Sequence, residues 1–155
     1  MDNLCTPQIY QGHKMPQLQW DELDFIECLD VVPVVEDYQI SHTFNVVQDK
    51  LILALKVWQY ESAIHITLYD SVTGRLVTEF ALFVRGRVSH EKFQRAENLT
   101  LRDCILAPSR SYNVNVGDVF DTGKWPFGLT ICISVKPQIS VRFFEHTPED
   151  SRKIP

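Results

Sequence analysis

Between residues 51 and 84 apolar side chains recur at every second position in three successive runs. Leu51, Leu53, Leu55 and Val57 make the first run; Ile64, Ile66 and Leu68 make the second, after a break at Glu61 and Ser62. The polar stretch from Asp70 to Gly74 then leads into Leu76, Thr78, Phe80, Leu82 and Val84. A two-residue period puts alternate side chains on one face, so these runs predict antiparallel strands with that face on a core. Their short connections predict a meander.

The same rhythm extends outward. Ile40, Phe44 and Val46 predict a strand over 38–47, with Gln48-Asp49-Lys50 as a tight turn. Leu99, Leu101, Cys104 and Ile105 predict a strand stopped by Pro108, and Tyr112, Val114 and Val116 predict a short one before Gly117. Leu129, Ile131, Ile133 and Val135 alternate again, as do Ile139, Val141 and Phe143 after Pro137. A proline between two such runs marks a bend where the chain changes sheet, or an edge strand, because proline donates nothing to a ladder. Residues 86–97 break the pattern: Gly86 opens a polar loop in which Ser89 caps one helical turn running through Ala96.

Residues 20–32 read two ways. Leu23, Phe25, Ile26 and Cys28 suit a bulged strand, whereas Trp20, Leu23, Ile26 and Leu29 at a three-residue step suit a short helix ending before Pro33. The expected architecture is all-β: a single antiparallel β-sandwich, jelly-roll-like or immunoglobulin-like, of about eight strands, with a closed barrel second. Residues 1–19 are expected to be an arm, 20–145 the domain and 146–155 a charged tail.

At 155 residues the chain is long enough to bury a core without a covalent staple. No apolar run reaches the roughly 18 residues of a membrane span. The first seven residues lack a basic start followed by an apolar stretch, so no secretory signal is expected there. Cys5, Cys28, Cys104 and Cys132 are scattered with no metal-ligand spacing, and three sit in apolar runs. Buried free thiols in a cytoplasmic, reducing setting are expected.

The net charge of −5 is uneven: residues 21–50 carry eight acids against one base, a local −7 that leaves +2 on the remainder. With no long basic stripe, nucleic acid is an unsuitable partner. A basic cluster at Arg85, Arg87, His90, Lys92 and Arg95 is a candidate site for an anion or an acidic partner, including the −7 segment of a second copy. Arg85 and Arg87 share a strand face if the strand continues past Gly86. The plainer role for such charges is to keep a strand edge solvated and unpaired.

Aromatics give a second candidate. Trp58 and Tyr60 have the parity opposite to Leu55 and Val57, Tyr69 points outward on its strand, and Trp125 sits in a glycine-bounded loop. Such a face suits a protein interface or stacking on a sugar ring, and equally a second packed layer. Of the five histidines, His42 has inward parity and His65 outward. None forms an H-x-H pair, so no metal or other cofactor is expected. No nucleophile motif appears. The expected function is therefore a non-enzymatic protein interaction module, either a homodimer or bound to another protein and not to a membrane. A carbohydrate- or small-ligand-binding domain is the alternative, and a small hydrolase or isomerase with a His/carboxylate site comes third.

Overall fold

The computed structural model describes residues 16–93, 95–107 and 116–146. The chain runs α1 (Glu22–Leu29), β1 (Val34–Val35), a 3-10 turn (Asp37–Gln39), β2 (His42–Gln48), β3 (Leu51–Trp58) and β4 (Ala63–Asp70). It continues with β5 (Leu76–Val84), β6 (Val88–Phe93), β7 (Ala96–Ala107), α2 (Val116–Val119), β8 (Gly128–Lys136) and β9 (Ser140–His146). The protein is mostly β, as expected. All nine strands belong to one open antiparallel sheet, ordered β1-β2-β3-β4-β5-β7-β8-β9, with β6 also paired to β7. No break divides the hydrogen bonding into two sheets, and β1 and β9 lie at opposite ends of the ladder.

The alternating runs of the sequence become β3, β4 and β5. Register places Phe44 opposite Leu55, Leu55 opposite Ile66 and Ile66 opposite Phe80, so one row of apolar side chains crosses four strands. Leu53, Leu55, Val57, Ile64, Ile66 and Leu82 are all fully buried. The β4–β5 turn is built by Asp70, whose Oδ1 accepts from the amides of Val72 (2.8 Å) and Thr73 (3.1 Å), while Gly74 takes a positive φ of 73°.

The sheet doubles back on itself. β2 and β8 are five steps apart in the strand order, roughly 24 Å along a flat sheet at about 4.8 Å per step. Yet the Gln48 amide, at the end of β2, donates to the Val135 carbonyl at 2.7 Å and accepts from the Ile139 amide at 2.6 Å. Phe80 of β5 likewise meets Phe143 of β9 with ring centroids 5.3 Å apart. The apolar faces of the two halves therefore share one core, in which Leu99, Leu101, Ile131 and Ile133 face the β2–β5 set. The bend lies where β5 passes into β6: backbone bonds of Arg85 and Gly86 to Asp103 and Arg102 keep both arms beside β7. A Cβ on Gly86 would sit 2.6 Å from the Arg102 carbonyl oxygen, so the close approach there requires glycine.

Several expectations are corrected. Residues 22–29 form a helix and not a bulged strand. Asp21 caps it by accepting from the Leu23 amide, and Asp30 closes it in a left-handed conformation. Its buried face is Phe25, Cys28 and Leu29, whereas Leu23 is exposed. Residues 88–93 form a strand, paired with β7 from Val88 opposite Leu101 to Phe93 opposite Ala96, where a polar loop with a helical turn was expected. Polar cross-strand partners such as Ser89 with Thr100 hide this strand from a search for apolar alternation. The strand expected from residue 38 starts at His42, because Tyr38 and Gln39 take positive φ in the preceding turn. Of the run Tyr112, Val114 and Val116, the first two lie outside the described residues and Val116 begins α2. β9 is an edge strand in a hairpin with β8, as the Pro137 break allowed. The expected arm and tail fall mostly outside the described residues; within them Leu18 is buried and Gln19 bridges to Arg87.

Candidate functional site

Among the described residues, a concavity lies where the start of α1 meets β1, the 3-10 turn and the beginning of β2. Its position follows from backbone bonds that pin residues 18–19: the Leu18 amide donates to the Gln59 carbonyl, and the Val88 amide donates to that of Gln19. Trp20 is thereby set at the rim of the core, edge-on to Phe25 at 5.0 Å and to His42 at 5.0 Å. Its indole N–H donates to the Gln59 side chain at 3.3 Å. The Gln59 amide in turn donates to the Gln39 carbonyl at 3.0 Å. Gln39 reaches that position through a left-handed backbone, φ 57°, next to Tyr38 at φ 59°. Such residues cost about 1 kcal/mol or more each and persist where surrounding bonds fix them.

The pocket so formed has a volume of about 390 Å³. Trp20, His42 and Val35 give it ring and apolar surface; Asp21, Glu22, Gln39 and Gln59 give it polar groups. His42 is the buried centre of the chemistry. Its Nε2 lies 3.2 Å from Oε2 of Glu22. Among the described residues its buried Nδ1 has no hydrogen-bond partner. Unpaired buried nitrogens are costly, so such an atom marks a position worth a functional account. Beside the pocket, the Ser41 hydroxyl donates to Glu36 at 2.5 Å and Lys56 sits 3.1 Å from the same carboxylate. These two partners hold the Glu36 carboxyl below the usual carboxylate range, the serine bond first.

Three of the five residues of the basic cluster, Arg85, His90 and Lys92, are paired with carboxylates of β7. Arg85 is buried: it reaches Asp103 at 2.6 Å and the carbonyls of Val119 and Trp125. Arg87 is exposed, whereas the Arg85 side chain is buried. His90 Nε2 lies 3.2 Å from Glu97, and the Lys92 ammonium 3.9 Å from the same carboxylate. Arg95 is exposed. Arg102, not among the expected residues, bonds Glu91 at 2.6 Å and Ser89 at 2.8 Å.

The aromatic candidates are separated. Trp58 lies on the outer face of β3 with the Lys56 ammonium 4.5 Å from its ring centre and His65 at 5.9 Å. Tyr60 is exposed in the following turn. Tyr69 sits six residues along β4 from the partner of Trp58, roughly 20 Å away at about 3.3 Å per residue. Trp125 is in the loop before β8. A second group of ligating side chains does come together: single ligand atoms of Asp24, Glu27 and His90 lie within 4.8 Å of one another.

Sequence reasoning marked His42 as inward-facing but missed Trp20, Glu22, Gln39 and Gln59. Reading Asp21 as a helix cap was the available signal, because a first-turn acid then follows at Glu22. Comparison with family models, curated proteins and solved structures finds no match for this chain. Among the described residues, no helix is long and apolar enough to cross a membrane.

Proposed function

We propose that this protein is a non-enzymatic binding module whose Trp20–Glu22–His42 pocket seats a cationic group, an ammonium or guanidinium, carried by a partner peptide. The observation that carries this reading is the lining itself. Asp21 and Glu22 are its charged groups beside His42, and none of the described lining residues is Lys or Arg. A cation entering there gains carboxylate partners and amide oxygens beside an indole, the recurrent surroundings of a bound ammonium. None of those lining residues carries a hydroxyl or thiol nucleophile, which favours binding over covalent chemistry. The doubled-back sheet serves as a sandwich-like scaffold in this reading. Three buried unpaired thiols, Cys28, Cys104 and Cys132, suit a reducing compartment such as the cytoplasm.

Trp20 provides the readout. Titration with short peptides bearing Lys or Arg should change indole fluorescence saturably, and Trp20→Phe should abolish the change. Glu22→Gln should weaken binding by at least tenfold, since an ionic hydrogen bond contributes about 1.5–3 kcal/mol. A flat titration, or one unaltered by Glu22→Gln, would reject the reading. The contact between His42 and Glu22 also favours a second one, general acid–base catalysis as in a small hydrolase or isomerase. Turnover of an ester or ketose panel that disappears in His42→Gln would select it. A sugar site on Trp58, Tyr60, Tyr69 and Trp125 ranks below both, because Trp58 and Tyr69, though on one face of the sheet, stand roughly 20 Å apart along the strands.

A further inference from the structure

We propose that Asp24 and Glu27 of α1, with His90 of β6, form a binding site for a divalent transition ion of the zinc class. The ligand atoms already lie within 4.8 Å of one another. Around zinc, with bonds of about 2.0–2.2 Å, tetrahedral ligands stand roughly 3.4 Å apart, so closure takes movements of an ångström or so. The backbone supplies the arrangement. Asp24 and Glu27 are three residues apart and share a helix face, while packing of α1 across β6, β7 and β8 brings that face to His90.

Two carboxylates at this spacing repel each other, and a cation between them relieves that cost. His90 is also held by a carboxylate: its Nε2 meets Glu97 at 3.2 Å, which leaves Nδ1 for an ion. A carboxylate bonded to one ring nitrogen, with the ion on the other, is how metal-bound histidines are commonly held. Among the described residues, the nearby lysines pair with other groups. The Lys136 ammonium is 3.2 Å from Glu97 and 3.5 Å from the Glu27 carbonyl, and Lys92 is 3.9 Å from Glu97. Their pull keeps Glu97 ionised, the Lys136 hydrogen bond being the main cause of its lowered pKa. Counting Asp24, Glu27 and Glu97 against these two lysines leaves a net negative surrounding.

The donor set names the ion. One imidazole nitrogen and two carboxylate oxygens suit zinc, cobalt, nickel or manganese better than calcium or magnesium, which prefer all-oxygen shells. Cys28, on the same helix, is fully buried and its sulfur is not among the clustered ligand atoms. The partly exposed ligands leave room for water to complete the shell.

The test uses the full chain, stripped of metal with a chelator. Titration calorimetry with zinc chloride should show one ion per chain, and the ion should raise the melting temperature. Glu27→Gln and His90→Gln should each weaken binding at least tenfold, while His65→Gln leaves it unchanged. Glu27 is exposed, so its variant is expected to fold, which circular dichroism checks. Cobalt in place of zinc should give visible absorption of nitrogen and oxygen ligation without thiolate charge-transfer bands. Absence of saturable binding, or binding that survives both substitutions, or thiolate bands with cobalt, would overturn the proposal.

Discussion

At the scale of single residues, what matters is how each charge is partnered. His65 is a partly buried imidazole on the outer face of β4, opposite Lys56 across the ladder. Burial first, and the Lys56 ammonium second, hold its pKa below the ordinary 6.5; Glu61 and Glu79 pull weakly the other way. The unfolded chain therefore takes up this proton more readily than the folded one. Its contribution to stability is fully present above about pH 6.5 and is lost as pH falls towards the depressed folded value. Urea midpoints measured from pH 7.5 down to 5.5 should fall faster for the natural chain than for His65→Phe, whose ring keeps the contact with Trp58. Parallel slopes would show that His65 is not the group responsible. The pH window lies above the carboxylate range, so Glu36 and Glu97 do not confuse it.

At the scale of elements, Arg85 shows how one side chain secures a segment with little packing of its own. Between β7 and β8 the described chain offers a single four-residue helix, α2, and an exposed loop. The Arg85 fork ties the Val119 and Trp125 carbonyls of that stretch to Asp103, which sits at a bulge of β7 with φ 56°. Replacing it by Met leaves a partly buried carboxylate without its cation and should cost about 3 kcal/mol. Arg85→Lys should recover only part of this, since an ammonium lacks the planar fork. Hydrogen exchange should show protection falling selectively over 116–127, and a uniform loss across the sheet would contradict the tie. The elements differ in how far they were legible. β3 to β5 were readable because their buried and exposed positions differ in polarity. β6 was not, because His90 and Lys92 on one face and Glu91 on the other take cross-strand ionic partners, which leaves no apolar rhythm. Helix α1 was half readable: the three-residue step of Trp20, Leu23, Ile26 and Leu29 indicated a helix but set the exposed Leu23 on the buried face, and the cap at Asp21 went unread. The pocket was the least readable, since Trp20, Glu22, Gln39, His42 and Gln59 meet only after α1, the turn and β2 have packed.

At the scale of the whole molecule, the sheet owes its shape to contacts that strand pairing does not supply. Pairing alone would leave β2 and β8 far apart, and apolar burial draws the two halves together without fixing their register. Gln48 fixes it, because its amide meets an acceptor at the end of β8 and a donor in the β8–β9 connection at once. No alternation of residues announces such a contact, which spans 87 positions to Val135. Gln48→Leu preserves bulk but strands the Val135 carbonyl and the Ile139 amide, at a cost of about 1–3 kcal/mol. Gln48→Glu separates the two bonds. Its carboxylate still accepts from Ile139 but faces the Val135 carbonyl with no proton to offer, so it should be no more stable than Leu near neutral pH. Acidification through the carboxylate range should then restore part of the loss in the Glu variant and none in the Leu variant. Denaturation midpoints at the two pH values, with exchange of the Ile139 amide, decide the matter. If both variants match the natural chain within about 0.5 kcal/mol, the size expected of an ordinary surface substitution, burial alone sets the fold-over and Gln48 merely lies beside it.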